Sequence, residues 1–211
     1  GIFIYYSQRN VLFVVFLGLI LVTGGLYNIL FKKIAFADII SLSVMYIWRS
    51  LAGCAIINVF ISPWLIITVF LTALLLATGK RMADLFLLGQ EKAKHHKFVY
   101  DSYSQKLLDY ILTLVATSLF MTYTLYCVFG PIENGGDSSI GANTHEFLIY
   151  TTPVALFLII RYLYLVHAKP KMIRHTENLI KDLPFFLGVL LLSLLMLCFL
   201  YISSSKDLWF F

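Results

Sequence analysis

SPWLIITVFLTALLLATGKRMADL, residues Ser62–Leu85, is an apolar run that ends abruptly in charge. No residue from Trp64 to Thr78 is ionisable, and then Lys80, Arg81 and Asp84 arrive in quick succession. Pro63 is at home at the start of a helix, where a missing N–H costs nothing. A helix rises about 1.5 Å per residue, so a run from Trp64 that continues as helix towards Leu88 crosses a hydrocarbon core of roughly 30 Å. Reading this stretch as a membrane span decides the fold, and it raises a question. Lys80 lies four residues before Asp84 and Arg81 three before it, so all three share one helical face. They either anchor the helix among lipid head groups or bind a phosphorylated ligand.

The rest of the chain agrees with a membrane setting. It is 60% hydrophobic and 13% charged, against roughly 25% charged in a soluble domain. Five more apolar runs accompany Trp64–Thr78: Asn10–Leu30, Ala35–Phe60, Lys106–Phe129, Phe147–Val166 and Phe185–Ser203. Ser62 and Pro63 mark a tight turn, Pro131, Asn134, Gly135, Gly136 and Asp137 a loop, and Pro184 the start of the last span. The expected fold is therefore all-α: a polytopic transmembrane helical bundle of six spans in a single membrane domain covering residues 1–211. Aromatic residues make up 16% of the chain and its net charge is +5, which suits contact with the lipid bilayer and its anionic head groups. The positive residues sit in short loops beside apolar spans, which argues against nucleic acid as a partner. Cys54, Cys127 and Cys198 lie in apolar stretches without metal-site spacing and are expected as small core or lipid-facing residues.

The loop charges orient the bundle. One set of alternate loops holds Lys32 and Lys33, then Lys80, Arg81, Lys92, Lys94 and Lys97, then Lys169, Lys171, Arg174 and Lys181. The other holds only Arg9 and Lys206, a ratio of eleven to two. This bias places loops 31–34, 79–105 and 167–184 in the cytoplasm, or its matrix or stromal equivalent, and both chain ends on the opposite side. No basic n-region precedes the first apolar run, so no signal peptide is expected. An odd number of spans ahead of Gly1 would reconcile these points, and GIFIYYSQ reads as the tail of one.

Some charges are not explained by insertion alone. Arg49, in SVMYIWRSLAGC, lies near the middle of the second span, where an arginine costs roughly 2.5–3.5 kcal/mol. It is read either as half of a structural ion pair or as a group facing an anion in a cavity. Arg161, in LFLIIRYLYLV, stands five residues from the end of its span, where snorkelling to the interface competes with a binding role. In the phosphate reading of the opening stretch, Lys80 and Arg81 hold phosphate or diphosphate oxygens. Asp84 then holds a metal ion or positions a hydroxyl. His95 and His96 have no third ligand at metal spacing, and Glu91–Tyr103 reads as an interfacial helix over the site. Acidic residues near the cytoplasmic face are few: Asp38, Asp84, Glu91, Asp101, Asp109, Glu177 and Asp182. None forms a DxxxD or DDxxD pair of the kind that grips a magnesium diphosphate.

LYNILFKKIAFADIISLSVMYIWRSLAG (Leu26–Gly53), followed by SPWLIITVFLTALLLATGKRMADL, resembles the UbiA superfamily of intramembrane prenyltransferases. Within it the stretch is similar to the decaprenyl-phosphate phosphoribosyltransferase branch, also called DPPR synthase. That branch typically reads RAIAGG where this chain has Arg49–Cys54, and GKRYAEL where it has Gly79–Leu85. DSYSQKLLDYILTLVATSLFMTY and LIIRYLYLV look like its continuation. The resemblance implies a nine-helix fold around a cavity open to the cytoplasm and to lipid, of which the six spans here would be the last six. It implies Mg²⁺, and transfer of 5-phosphoribose from phosphoribosyl diphosphate to a polyprenyl phosphate. By the same resemblance Lys80 and Arg81 would bind phosphate, Asp84 would complete metal or ribose contacts, and Arg49 would face an anion. Lys33 would stand at the cavity mouth; Arg161, from its own position in its span, is kept as a further substrate-binding candidate. The chain departs from the branch where Met82 replaces a tyrosine and Asp84 a glutamate, and it has no counterpart of the family's NDxxDxxxD motif. Two other readings stay open. One is a degenerate relative serving as a structural or assembly subunit of a membrane complex or homo-oligomer. The other is a prenyltransferase acting on an aromatic or lipid acceptor.

Overall fold

The computed structural model describes residues 11–57, 63–96, 104–129 and 147–206. Arg9, Lys97, Tyr100, Asp101, Tyr103 and the loop around Pro131–Asp137 lie outside them. Among the described residues there are seven α-helices and no strand. They are α1 (Val11–Ile29), α2 (Ala37–Ile57), α3 (Pro63–His96), α4 (Gln105–Phe129), α5 (Thr152–Ala168), α6 (Pro170–Arg174) and α7 (Leu183–Lys206). Short 3₁₀ turns at Phe31–Lys33, Phe147–Thr151 and Thr176–Lys181 join some of them. The protein is a polytopic helical membrane bundle. Ala37–Ile56, Pro63–Leu87, Gln105–Val128 and Leu148–Ala168 are apolar and long enough to cross a bilayer, while Phe13–Ile29 and Leu183–Phe199 are apolar but shorter.

Two expectations about the polar segments change. Segment 79–105 is not a loop throughout: GKRMAD lies on a helix, as its spacing leads one to expect, and that unbroken helix of 34 residues runs past Leu88 to His96. Twelve of the 18 residues 79–96 are Lys, Arg, Met, Ala, Leu, Gln or Glu, all strong helix formers. Residues 91–96, expected in a separate interfacial helix, are the last turns of α3. The stretch 167–184 is likewise no plain loop, because α6 and a 3₁₀ turn occupy it.

The chain packs as two compact units, Gly1–Val115 and Ala116–Phe211. In the first, α1 packs on α2 and α2 on α3. Phe16 of α1 stacks on Trp48 of α2, with ring centroids 6.2 Å apart. Phe36, at φ 65°, turns the chain from the first 3₁₀ turn into α2, which sets Asp38 in the first turn of that helix. Ser104 begins α4 as its cap, its Oγ accepting the Leu107 N–H at 3.1 Å.

In the second unit α5 packs on α7. Gly188 of α7 permits the approach, since a Cβ there would stand 2.8 Å from Leu158 Cδ2. Pro153 sits in the first turn of α5, where proline is tolerated. The Tyr123 hydroxyl of α4 shares a hydrogen bond with Thr151 just before it.

Candidate functional site

In the first unit a cluster of ionisable residues, Tyr27, Asp38, Arg81 and Asp84, forms near where α1 ends and α2 begins. Arg81 grips Asp38 with two hydrogen bonds, Nε to Oδ2 at 2.8 Å and Nη2 to Oδ1 at 3.1 Å. The Tyr27 hydroxyl of α1 donates to Asp38 Oδ1 at 2.9 Å. Asp84 stands on the other side of the guanidinium, its Oδ2 3.9 Å from Nη1. All three charged groups are withdrawn from the surface: Asp38 is 1% exposed, Arg81 7% and Asp84 8%. Such a set survives burial because each charge meets an opposite one and a fork-shaped guanidinium matches a carboxylate.

Lys80, the neighbour of Arg81, points outward and is exposed. Counting about 1.5 Å per residue from Pro63 puts Lys80 about 26 Å along α3, near the far edge of a hydrocarbon layer of roughly 30 Å. The whole 34-residue helix measures about 51 Å, so its polar end stands beyond that layer. An apolar cavity of about 370 Å³ opens between α1 and α2, lined by Thr23, Phe31, Ala37, Ile40, Ser41 and Val44. One of its lining residues, Ala37, adjoins Asp38 in sequence.

The structure thus joins Arg81 to Asp84, as the helical spacing requires, and adds Asp38 and Tyr27. Lys33 and Arg49 stay outside the cluster, and among the described residues neither makes an ion pair. Lys33 is exposed on the first 3₁₀ turn. Arg49 is exposed on α2 with its guanidinium 5.4 Å from the Tyr46 ring centre.

Arg161 belongs to the second unit, where it makes a second forked pair with Asp182, at 2.9 Å through both Nε and Nη2. Lys169 Nζ adds a contact at 3.6 Å, and the Arg161 guanidinium lies 5.0 Å from the Tyr164 ring centre. Asp182 also accepts the Phe185 N–H at 3.3 Å, capping the start of α7. The Arg161 hydrogen bonds hold the Asp182 carboxyl below its ordinary range. Paired in this way, Arg161 has no need to snorkel.

This donor set offers a metal ion little. Among the described residues no group of three or more His, Cys, Asp or Glu side chains gathers as a metal site. Asp38 is committed to Arg81 and Tyr27. Among the described residues Asp84 is the one carboxylate beside Lys80, so the set fits Mg²⁺ only as a partner to ligand phosphates that carry most of the coordination.

No family model matches the chain. Among curated proteins it is similar to the decaprenyl-phosphate phosphoribosyltransferase of Corynebacterium glutamicum, with 30% identity over 95 residues, which is 45% of this chain and 28% of that protein. The protein of the same name from Mycolicibacterium smegmatis is 32% identical over 95 residues, 45% of this chain and 30% of that protein. The similarity covers under half of this chain and under a third of either relative.

Proposed function

We propose that the chain is part of a membrane-embedded transferase that moves 5-phosphoribose from phosphoribosyl diphosphate to a polyprenyl phosphate. The observation that carries this reading is Lys80: an exposed cation at bilayer-edge depth, beside a buried Arg81–Asp38–Asp84 cluster. The names of the two partial relatives support the choice of chemistry. The cavity between α1 and α2 suits the isoprenoid portion of an acceptor, since its lining is almost wholly apolar.

The chemistry is within reach of these groups. The C1–O bond to diphosphate breaks, its electron pair leaves with the diphosphate, and an oxygen of the acceptor phosphate bonds to C1. The acceptor is already an anion, so the step needs no strong base. Positive charge near the leaving oxygens lowers the barrier, because charge builds there in the transition state. Lys80 supplies that charge, with Arg81 behind it held by Asp38; Lys33 adds to it at the mouth, and Arg49 and Arg161 are the more distant candidates. Mg²⁺ arriving with the diphosphate would neutralise further charge, with Asp84 as the carboxylate this part of the chain offers. On this reading the six apolar helices correspond to the last six of the UbiA superfamily's nine.

A second reading, a structural or assembly subunit of a membrane complex, draws on the same cluster. Arg81 is neutralised by a buried carboxylate, as in many purely structural pairs. Lys80→Ala separates the two. A transferase loses phosphoribosyl transfer by about a hundredfold, as when a charge-stabilising group is removed, with membrane expression unchanged. A structural subunit shows no change in either.

A further inference from the structure

We propose that Asp38 is a positioning residue of the Lys80 site: its carboxylate fixes Arg81 so that Arg81 meets Asp84, and Lys80 is the cation that takes the ligand's phosphate. The proposal rests on reading the site as one for a phosphate or diphosphate. Its basis is how the guanidinium is used. Nε and Nη2, the edge best shaped for a forked contact with a phosphate, are both spent on Asp38. A phosphate seeking that edge must displace a carboxylate that is 1% exposed and also held by Tyr27. The opposite edge, through Nη1, faces Asp84. Lys80, one residue earlier, is exposed.

The clasp also fixes more than one side chain. Tyr27, Asp38 and Arg81 stand on α1, α2 and α3, so the contact ties three helices together at one level. It sets the rotation of α3 about its axis, and with it the directions of Lys80 and Asp84. A lysine is suited to the outward role, as a compact charge on a flexible stem, and an arginine to the forked inward one.

The test uses the full chain in lipid nanodiscs, with inorganic diphosphate titrated calorimetrically and phosphoribosyl transfer to a polyprenyl phosphate followed kinetically. Lys80→Ala is expected to weaken diphosphate binding by about tenfold or more, as for loss of one charge-assisted contact. Asp38→Asn and Arg81→Lys are expected to leave that affinity within about threefold while each lowers kcat by about tenfold at near-normal KM. The double variant Asp38→Asn/Arg81→Lys is expected to be no worse than the poorer single one, because the two residues act as a unit. Asp38→Glu recovers part of kcat. If Asp38→Asn does not fold, Tyr27→Phe shows the same pattern at a smaller amplitude.

The proposal is overturned if Asp38→Asn tightens diphosphate binding, which would make the carboxylate a competitor for Arg81. It is also overturned if Arg81→Lys abolishes binding while Lys80→Ala spares it. The affinity pattern decides even where the chosen acceptor gives no turnover. A wild-type chain that binds no diphosphate overturns the functional reading and the proposal with it; one that binds, with Lys80→Ala binding equally well, overturns the proposal alone.

Discussion

Truncating Asp38 to alanine would leave the Arg81 guanidinium buried without its forked partner and Tyr27 without its acceptor. Removing one half of such a pair costs about 3–5 kcal/mol, far more than the pair is worth against an apolar replacement. The thermal midpoint of Asp38→Ala in detergent should therefore fall clearly below that of Lys80→Ala, which removes only an exposed charge and shifts stability by about 0.5 kcal/mol or less. Equal midpoints would mean that other groups or water take over the carboxylate's role. Asp182 offers a prediction in pH. Its carboxyl is held below the ordinary value of 3.8, chiefly by the Arg161 hydrogen bonds. A group depressed in the folded state stabilises fully above its unfolded pKa, and that contribution is lost as pH falls through the folded one. Asp182→Asn should thus be less stable than wild type at pH 7, with the gap closing below about pH 4, where the unfolded carboxyl takes up its proton. A gap independent of pH from 7 to 3 would remove the ion pair as its cause.

At the scale of the element, Gly188 tests the contact between α5 and α7. An alanine Cβ there would meet the Leu158 Cδ2 at 2.8 Å, the mobile end of a side chain that a rotamer change moves aside. Alanine also gains about 1 kcal/mol in helix propensity over glycine, so Gly188→Ala should be close to neutral. Gly188→Leu adds a branched chain that cannot be accommodated in this way, and overpacking of this kind costs about 1–3 kcal/mol. Denaturant midpoints of the two variants should separate; if both match wild type, the helices do not close at this residue. Helices were also the most legible feature of the sequence. Apolar runs bounded by Pro63 and Pro184 gave α3 and α7 their starts to within a residue or two. The continuation of α3 through Lys80, Arg81 and Asp84 is legible from their helical spacing, but its run beyond Leu88 to His96 is not, because no apolar periodicity marks helix in that polar stretch. The site was half legible. Helical spacing alone brings Arg81 to Asp84, but Arg81 and Asp38 are 43 residues apart, and local periodicity carries no information about a partner on another helix. Arg161 and Asp182, 21 residues apart, escaped for the same reason. The available signal was Asp38 itself, a carboxylate beside an apolar span that needed a cation.

For the molecule as a whole, the clusters of lysine and arginine make a claim about sides that labelling can check. Lys32→Cys and Lys171→Cys, in a chain whose native cysteines are replaced by alanine, should both react with an impermeant maleimide from the cytoplasmic side of sealed vesicles and from that side only. Labelling on opposite sides would break the positive-inside assignment of the loops. The forked Arg–Asp pairs, one in each unit, have a further consequence for how the protein is made. In each, the residue translated first must wait for its partner. At about 5–20 residues per second, the 43 residues from Asp38 to Arg81 take roughly 2–9 s. The 21 residues from Arg161 to Asp182 take roughly 1–4 s at the same rate. During those intervals a lone carboxylate and then a lone guanidinium stand at the start and within the span of newly made helices, before anything neutralises them. The ribosome's pace thus sets how long the membrane insertion machinery must shelter each unpaired charge, and slowing translation between the two halves of a pair lengthens that exposure.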